Sequence, residues 1–193
     1  MSDSGYEVFE DPYCYKGTSV LKNRAGLTDP YRLQAFELEM SSLRAEEPLH
    51  NGQFGPAHYR AVHRHMFGDV YTWAGRYRTV RTAKGGNAFC YPEHIESEMK
   101  RLFARLQKRP FVGGADKDEF ATAATSFLSE LNAIHAFREG NGRAQLAFLH
   151  LVSLRAGHTL DLSKLRPSQF LDAMIRSFHG VLGPLERELG KLL

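Results

Sequence analysis

A nine-residue polar segment, His-Ala-Phe-Arg-Glu-Gly-Asn-Gly-Arg from residue 135 to 143, gathers the side chains of this chain that are best suited to chemistry. It lies between two apolar runs that predict buried helices, a costly position for polar groups that have no use. Gly140 and Gly142 let the backbone turn sharply and approach a ligand, and Asn141 is a suitable cap for the following helix. The segment therefore predicts a loop that encloses a ligand.

Phosphate is the ligand that suits this loop. The N–H groups at a helix start form an anion site together with the helix dipole, and Arg143 in the first turn adds a planar fork of donors. Glu139 beside a phosphate needs a cation between the two, and carboxylate oxygens are normal ligands of Mg²⁺. His135, with an ordinary pKa of about 6.5, can take a proton from a hydroxyl near neutral pH. One short segment thus predicts an anion cradle, a metal carboxylate and a base.

The rest of the sequence predicts a mostly α fold that positions this loop. Two helical runs begin at a proline, the first directly after Asp29 and the second at Pro56. Others follow at 92–107, 116–134 and 144–157, with two shorter ones near the C-terminus. The run at 144–157 is apolar nearly all round, so we expect it at the centre of a compact helical bundle. The buried face of the first helix is expected to carry Leu33, Phe36, Met40 and Leu43.

One segment changes character and predicts a β-hairpin. The side chains that favour the outgoing strand are Tyr77, Thr79, Val80 and Thr82. Lys84-Gly85-Gly86-Asn87 is typical of a turn, and Phe89 to Tyr91 can form the returning strand. The expected fold is therefore a helical bundle with one short hairpin.

Composition sets further limits. The 193 residues are 42% hydrophobic and 24% charged, which predicts a single domain over 1–193 with a flexible tail at 1–12. A net charge of +3, with both signs mixed along the chain, argues against nucleic acid as a direct partner. The two cysteines form no CxxC pattern, and no leader or membrane span is recognisable. These features favour a cytoplasmic location without membrane contact.

The segment at 135–143 resembles the signature of the Fic family, HxFx(D/E)GNGRxxR. The resemblance extends to VLKNRAGL near the start, to VHRHMFGDVYTWAGRYRTV, and to the Gly-Asn-Ala-Phe that ends the hairpin. It implies a Fic-fold helical bundle whose hairpin forms a flap over the active site. It also implies a protein adenylyltransferase, which transfers AMP from Mg-ATP to a hydroxyl side chain of a target protein.

The resemblance also implies a role for each residue of the site. His135 would deprotonate the target hydroxyl, which attacks the α-phosphate of ATP, and Glu139 would hold Mg²⁺ between the α- and β-phosphates. Arg143 would contact the β/γ end of the nucleotide, and Phe137 would point inward and anchor the loop. The expected nucleotide-binding residues are Phe137, Arg138, Gly140, Asn141, Gly142 and Arg143. The flap residues expected to bind an extended target segment are Thr82, Ala83 and Lys84.

The chain departs from the signature at one position, because Leu146 stands where the family has a second arginine. In the family that arginine binds the γ-phosphate and pairs with an inhibitory glutamate. Its loss predicts weaker or altered nucleotide binding, a different phosphate-containing donor, or a weakly active protein.

The inhibitory glutamate usually lies in an [S/T]xxxE[G/N] helix, and the sequence contains no such pattern. This predicts the toxin of a toxin-antitoxin pair, inhibited in trans by a separate small antitoxin protein. The resemblance further implies the ATPase subunit of a type II topoisomerase as a target.

Several residues admit a structural or a second chemical interpretation. His135 and Glu139 at i, i+4 could ligate a transition metal, although HExxH is absent. The histidines at 58, 63 and 65 do not share one helical face, which favours exposed or capping roles. Tyr71 and Trp73 could stack on adenine, but aromatics at such spacing usually belong to a core. Lys84 is equally compatible with a solvated turn.

Three alternative functions remain open from the sequence. Leu146 favours a non-catalytic interaction module with a Fic fold. A Doc-like kinase would transfer phosphate instead, but its pattern has Lys after Asn where this chain has Gly142. A DNA-binding regulator would need a clean Lys/Arg stripe on a helix, and none is evident.

Overall fold

The structure is a computed structural model that describes residues 11–49 and 51–193. These residues form a mostly helical fold with one two-stranded antiparallel sheet, as predicted. The elements are α1 (Pro30–Glu46), α2 (Pro56–Phe67), β1 (Ala83–Lys84), β2 (Asn87–Ala88), α3 (Pro92–Phe103), α4 (Lys117–Ile134), α5 (Asn141–Ala156), α6 (Pro167–Phe178) and α7 (Gly183–Leu192). Within the described ranges, none of the helices has the length and apolar character needed to cross a bilayer.

Helices α1 and α2 begin where their capping signals predict. The Asp29 carboxylate accepts the N–H of Arg32 over 2.8 Å at the start of α1. Helix α2 begins at Pro56 and is capped after Phe67 by Gly68, whose N–H donates to the Arg64 carbonyl. The α1 face is wrong in part: Leu33 is buried, but Leu43 is 53% exposed. The inward face of α1 instead carries Leu33, Glu37 and Ser41.

Helix α5 lies at the centre of the bundle, as its apolar sequence predicts. It packs against α2 on one side and α4 on the other, while α6 and α7 cover the far side of α4. The fully buried α5 side chains include Phe148, whose ring lies 5.3 Å from that of Tyr59 of α2 and 5.4 Å from that of Phe103 of α3. The loop before α5 thus leads directly into the central helix of the core.

The hairpin is shorter than predicted. Its strands pair Ala83 with Ala88 and Lys84 with Asn87, around a turn at Gly85 and Gly86 that has positive φ at both positions. Residues 77–82 form no regular strand, although the Thr82 carbonyl accepts the Phe89 N–H and so extends the hairpin by one hydrogen bond. The Arg78 N–H donates to the Ala136 carbonyl just after α4, and the returning Cys90 N–H donates to the Ala133 carbonyl in the last turn of α4.

Two residues of the predicted flexible tail at 1–12, Asp11 and Pro12, lie within the described part of the chain. The side chain of Asp11 is 6% exposed and forms an ion pair with Arg138, at 2.6 Å between Oδ2 and Nε. Two residues on, the Tyr13 ring packs edge-on against Trp73 at 5.5 Å. An ion pair excluded from water holds its partners in place, so the described chain is anchored from Asp11 onward. The remainder of the expected tail, residues 1–10, lies outside the described residues.

Candidate active site

The polar segment at 135–143 forms the connection between α4 and α5. His135 ends α4 in the left-handed conformation, with φ 49°. Phe137 is fully buried under the connection. The Asn141 side chain forms hydrogen bonds with both the backbone N–H and the backbone carbonyl of Phe137. The Asn141 Oδ1 atom accepts the Phe137 N–H over 2.9 Å, and its Nδ2 donates to the Phe137 carbonyl over 2.8 Å. Asn141 therefore fixes the loop from within and does not cap α5.

Gly140 is the N-cap of α5, and two constraints require a glycine there. Its φ is +79°, a conformation that a Cβ atom disfavours. A Cβ at this position would lie 2.5 Å from the ring of Phe67 on α2. Gly142 differs, because a Cβ there would meet nothing within 4 Å. The loop passes Phe67 closely at Gly140 and opens outward at Gly142.

His63 of α2 supports the same loop from below. Its ring is fully buried and lies 3.7 Å from the ring of Phe137. Its Nε2 is 2.9 Å from the backbone carbonyl oxygen of Glu139. Sequence reasoning assigned exposed or capping roles to the three histidines of α2, and this is wrong for His58 and His63, which are buried. His65 does cap, since its Nε2 contacts the Arg44 carbonyl near the end of α1 over 2.9 Å.

Arg78 holds the end of α4 and is a functional residue that sequence analysis missed. It is 2% exposed, and its Nε donates to the His135 carbonyl over 2.8 Å. Its terminal nitrogens donate to the carbonyls of Val80 and Ile134 over 2.7 and 3.2 Å. The sequence around Arg78 favours a β-strand, and it gave no sign that Arg78 would bind the carbonyls at the end of α4. Arg78 thus connects the chain just before the flap to His135, the residue that would act as the catalytic base.

His135 lies under the flap. It is 8% exposed, and the ring of Phe89 stacks on its imidazole at 3.8 Å with a 9° angle between the planes. Burial, with the positive charge of Arg78 next in importance and that of Lys84 also contributing, lowers the pKa of His135 to about 3. The imidazole is therefore neutral at physiological pH and able to accept a proton. Lys84, on the flap, lies close enough for its charge to act on this ring.

Glu139 provides a carboxylate at the mouth of the loop. Its Oε1 accepts the Gly140 N–H over 2.9 Å. Burial, and then the negative charge of Glu37, raise the pKa of Glu139 above its ordinary value. Two neighbouring carboxylates in a poorly solvated place favour a cation, and a hard oxygen donor is a normal ligand of Mg²⁺. The residues present thus fit the magnesium site predicted from the sequence.

Arg143 projects from the first turn of α5. Its Nη1 donates to the Ser41 hydroxyl over 2.8 Å, and its Nη2 donates to the Glu37 carboxylate. The guanidinium also lies over the Phe67 ring, 4.8 Å from its centre. Sequence reasoning did not assign Glu37 or Ser41 to the site, because both lie about a hundred residues earlier in the chain.

Some predicted residues do not face the open side of the loop. Phe137 is fully buried, so its ring anchors the loop, and a contact between Phe137 and nucleotide remains a prediction. Arg138 is 4% exposed and paired with Asp11, and a contact between Arg138 and nucleotide remains a prediction. Tyr71 and Trp73 stack on each other at 4.4 Å and are buried, which agrees with the core interpretation.

The three flap residues differ in their exposure to solvent. Thr82 is 3% exposed, Ala83 is partly buried and Lys84 is exposed. Leu146, one turn after Arg143, is a partly buried residue that packs against the hydrophobic core. An apolar side chain therefore occupies the position of the second arginine in the signature.

The helical bundle, the hairpin and the loop at 135–143 together define a Fic-type domain. Residues 53–153 match the Fic/DOC family, and the chain belongs to this family. It is 54% identical over 189 residues to the probable protein adenylyltransferase y4lH of Sinorhizobium fredii, covering 97% of this chain and 98% of the relative. It is 34% identical over 178 residues to the protein adenylyltransferase VbhT of Bartonella schoenbuchensis, covering 91% of this chain and 37% of VbhT.

Solved structures show the same fold. The BepC effector of Bartonella tribocorum with bound AMPPNP superimposes with a TM-score of 0.84 at 28% identity, covering 93% of this chain and 95% of that one. The N-terminal Fic domain of a Bartonella quintana effector with bound ADP gives a TM-score of 0.85 at 28% identity, covering 93% of each chain. These similarities confirm the resemblance to the Fic family and the predicted fold class.

Proposed function

We propose that this chain is a protein adenylyltransferase that transfers AMP from Mg-ATP to a hydroxyl side chain of a target protein. The observation that carries the proposal is the loop at 135–143, which places a neutral imidazole, a carboxylate and the start of α5 within one connection. Relatives named protein adenylyltransferase and neighbours with bound AMPPNP and ADP support the same activity.

His135 is the proposed base. The target hydroxyl gives its proton to the neutral imidazole while its oxygen forms a bond to the α-phosphorus of ATP. The bond from that phosphorus to the bridging oxygen breaks, and pyrophosphate leaves with the electron pair. The low pKa of His135 keeps the ring in its accepting form, and the Arg78 contact to its backbone carbonyl fixes its position. The products are an AMP ester of the target and pyrophosphate.

The start of α5 is the proposed phosphate site. The first N–H groups of a helix have no partner within the helix, so those after Gly140 suit phosphate oxygens. Arg143 adds a fork of donors in the same turn. A Mg²⁺ ion held by Glu139 would offset the negative charge of the phosphates during transfer. Gly142, where the surface is open, lets a phosphate approach the backbone.

The flap is the proposed binding site for the target. An extended segment of the target would add a strand beside the hairpin, with main-chain hydrogen bonds to residues 82–84. Lys84 is exposed and close enough to influence His135 electrostatically, so a segment bound there would lie near the base. The position of the flap above His135 supports this assignment.

The sequence also supports proposals about the location, the inhibitor and the target of this chain. We propose that the chain is a cytoplasmic toxin, inhibited by a separate antitoxin, because it lacks the [S/T]xxxE[G/N] pattern. The ATPase subunit of a type II topoisomerase is the target class that the family resemblance suggests. Recognition through the exposed edge of the flap does not by itself select a topoisomerase over another target protein.

Leu146 favours a second candidate function, namely an interaction module or a transferase with another phosphate-containing donor. An apolar side chain packed against the core removes the charge that the γ-phosphate would meet. A donor with fewer phosphate charges loses less from this change than ATP does. The alternative therefore differs from the main proposal in the nucleotide used or in the absence of covalent transfer.

Label transfer to bacterial lysate proteins tests both functions. Wild type, His135→Ala and Leu146→Arg are compared with α-labelled and γ-labelled ATP in the presence of Mg²⁺. A protein band that carries the α-label and depends on His135 supports AMP transfer, whereas γ-label alone indicates a kinase. Label with Leu146→Arg but none with wild type favours the second candidate.

A further inference from the structure

Helix α1 presents a polar strip to the active site. Glu37 and Ser41 lie one turn apart on its inward face, and they are 8% and 1% exposed. Both side chains contact the guanidinium of Arg143, through the carboxylate of Glu37 and the hydroxyl of Ser41. Buried polar groups are costly unless they have partners, and Arg143 is the partner that both side chains share.

The core holds Glu37 on its other side. Its second carboxylate oxygen accepts the hydroxyl of Tyr71, which is 2% exposed. The Tyr71 ring is stacked on Trp73 with an 18° angle between the planes. Because Tyr71 is packed in this way, the Glu37 carboxylate has little freedom to turn away from Arg143.

Arg143 is thereby fixed at three points, by Glu37, by Ser41 and by the face of Phe67. A guanidinium carries five N–H donors in a rigid plane. Two contacts do not exhaust these donors, so an arginine held in this way can still bind phosphate oxygens. Leu146 supplies no charge one turn later, and the orientation of Arg143 becomes correspondingly more important.

We propose that Glu37, assisted by Ser41, is the positioning residue that orients Arg143 for the phosphates of the nucleotide. This inference rests on the proposed function. For metal-free nucleotide, electrostatics alone predicts the opposite effect, because a carboxylate beside a phosphate site repels the ligand. Removing the carboxylate therefore separates a positioning role from a merely repulsive one.

The test is calorimetric binding of AMPPNP to the full chain, first with Mg²⁺ and then with EDTA in its place, which removes any effect of Glu37 on the metal. Glu37→Ala should raise the Kd about tenfold, as expected when a charged hydrogen bond fixes a binding group. Glu37→Gln keeps an acceptor for Arg143 and should restore the Kd to within about threefold of wild type. Glu39→Ala removes the same charge from the exposed face of α1 and should leave the Kd unchanged. Melting temperatures identify any variant that has lost its fold, and Ser41→Ala should weaken binding less than Glu37→Ala.

The outcomes are distinct from those of the AMP transfer assay. Equal or tighter binding by Glu37→Ala, or a folded Glu37→Gln that binds as weakly as Glu37→Ala, would overturn the positioning role even if AMP transfer is observed. Wild type that binds AMPPNP but transfers no label would overturn the proposed activity while the Glu37 comparison still stands. Wild type that does not bind AMPPNP would overturn both.

Discussion

His63 and Glu139 are joined by a hydrogen bond of 2.9 Å, from the imidazole Nε2 to the backbone carbonyl oxygen of Glu139. The N–H of Gly75 donates to the other ring nitrogen, Nδ1, also over 2.9 Å. Because Nδ1 accepts that bond, the proton lies on Nε2 and the ring is neutral. Burial lowers the pKa of His63 to about 4, which agrees with this tautomer. One buried side chain thus connects α2, the turn at Gly75 and the active-site loop.

Replacing His63 by alanine should destabilise the fold and loosen the loop. The change leaves a carbonyl and an N–H without their buried partner, and it opens a cavity beside Phe137, so we expect a loss of about 2–4 kcal/mol. Urea denaturation measures the loss, and AMP transfer should fall with it. His65→Ala, on the same helix but away from the loop, is the control and should have the smaller effect on transfer.

The pH dependence of stability follows from the two buried histidines. The pKa values of His63 and His135 are lowered to about 4 and about 3 from an ordinary value of 6.5, so the unfolded chain binds protons that the folded chain does not. Their stabilising contribution is complete above pH 6.5 and is lost progressively as the pH falls toward these lower values. Each group should contribute a slope of about 1.4 kcal/mol per pH unit below pH 6.5.

Urea denaturation between pH 7 and pH 5 checks this dependence. His63→Phe should have a shallower slope than wild type, because one of the two titrating groups is removed. His94→Gln, at an exposed position of α3, is the matched control and should keep the slope of wild type. Equal slopes for wild type and His63→Phe would contradict the assignment.

Removing the Phe89 ring should raise the pKa of His135. The ring covers one face of the imidazole at 3.8 Å, and burial is the main cause of the low pKa. Phe89→Ala admits water, so the value should move from about 3 toward 6.5. An NMR titration of the imidazole protons measures the shift, and the acid limb of the rate of AMP transfer should move in the same direction.

Tyr91→Ala is the matched control for Phe89→Ala. Tyr91 is an aromatic residue two positions along the same segment and is 45% exposed, so its removal should leave the pKa of His135 near its wild-type value. A shift of similar size in both variants would mean that the flap as a whole, and not stacking by Phe89, controls the base.

The two glycines of the loop should respond differently to alanine. Gly140→Ala combines a positive φ with a Cβ only 2.5 Å from the Phe67 ring, so we expect a loss of about 2–5 kcal/mol. Gly142→Ala adds a Cβ in open space within the first turn of α5 and should leave stability unchanged or slightly higher. Thermal denaturation of both variants measures the two changes in stability. Equal stability of Gly140→Ala and Gly142→Ala would show that Gly140 does not approach the Phe67 ring closely.

The amino-acid sequence by itself predicted the chemistry of the loop, and it located most of the helices. The order of His135, Glu139 and Arg143 predicts their roles because a helix start binds anions wherever it lies in a fold. Proline and apolar residues at helical spacing located α2, and a run that is apolar nearly all round located α5, because such residues must face a core. The proline and aspartate signals worked for a similar reason, since caps depend on local backbone geometry.

Only the tertiary structure decided which distant side chains serve this loop. Glu37 meets Arg143, and Arg78 meets His135, across 106 and 57 residues of sequence. Periodicity assigns apolar residues to the inside, so it favoured Leu43 as a buried residue of α1 and overlooked Glu37. Burial of a polar side chain depends on a partner brought by another element, and no local pattern specifies that partner. The chemistry of the loop can therefore be predicted from its own sequence. The distant side chains that contact the loop are identified only when the packing of the helices is known.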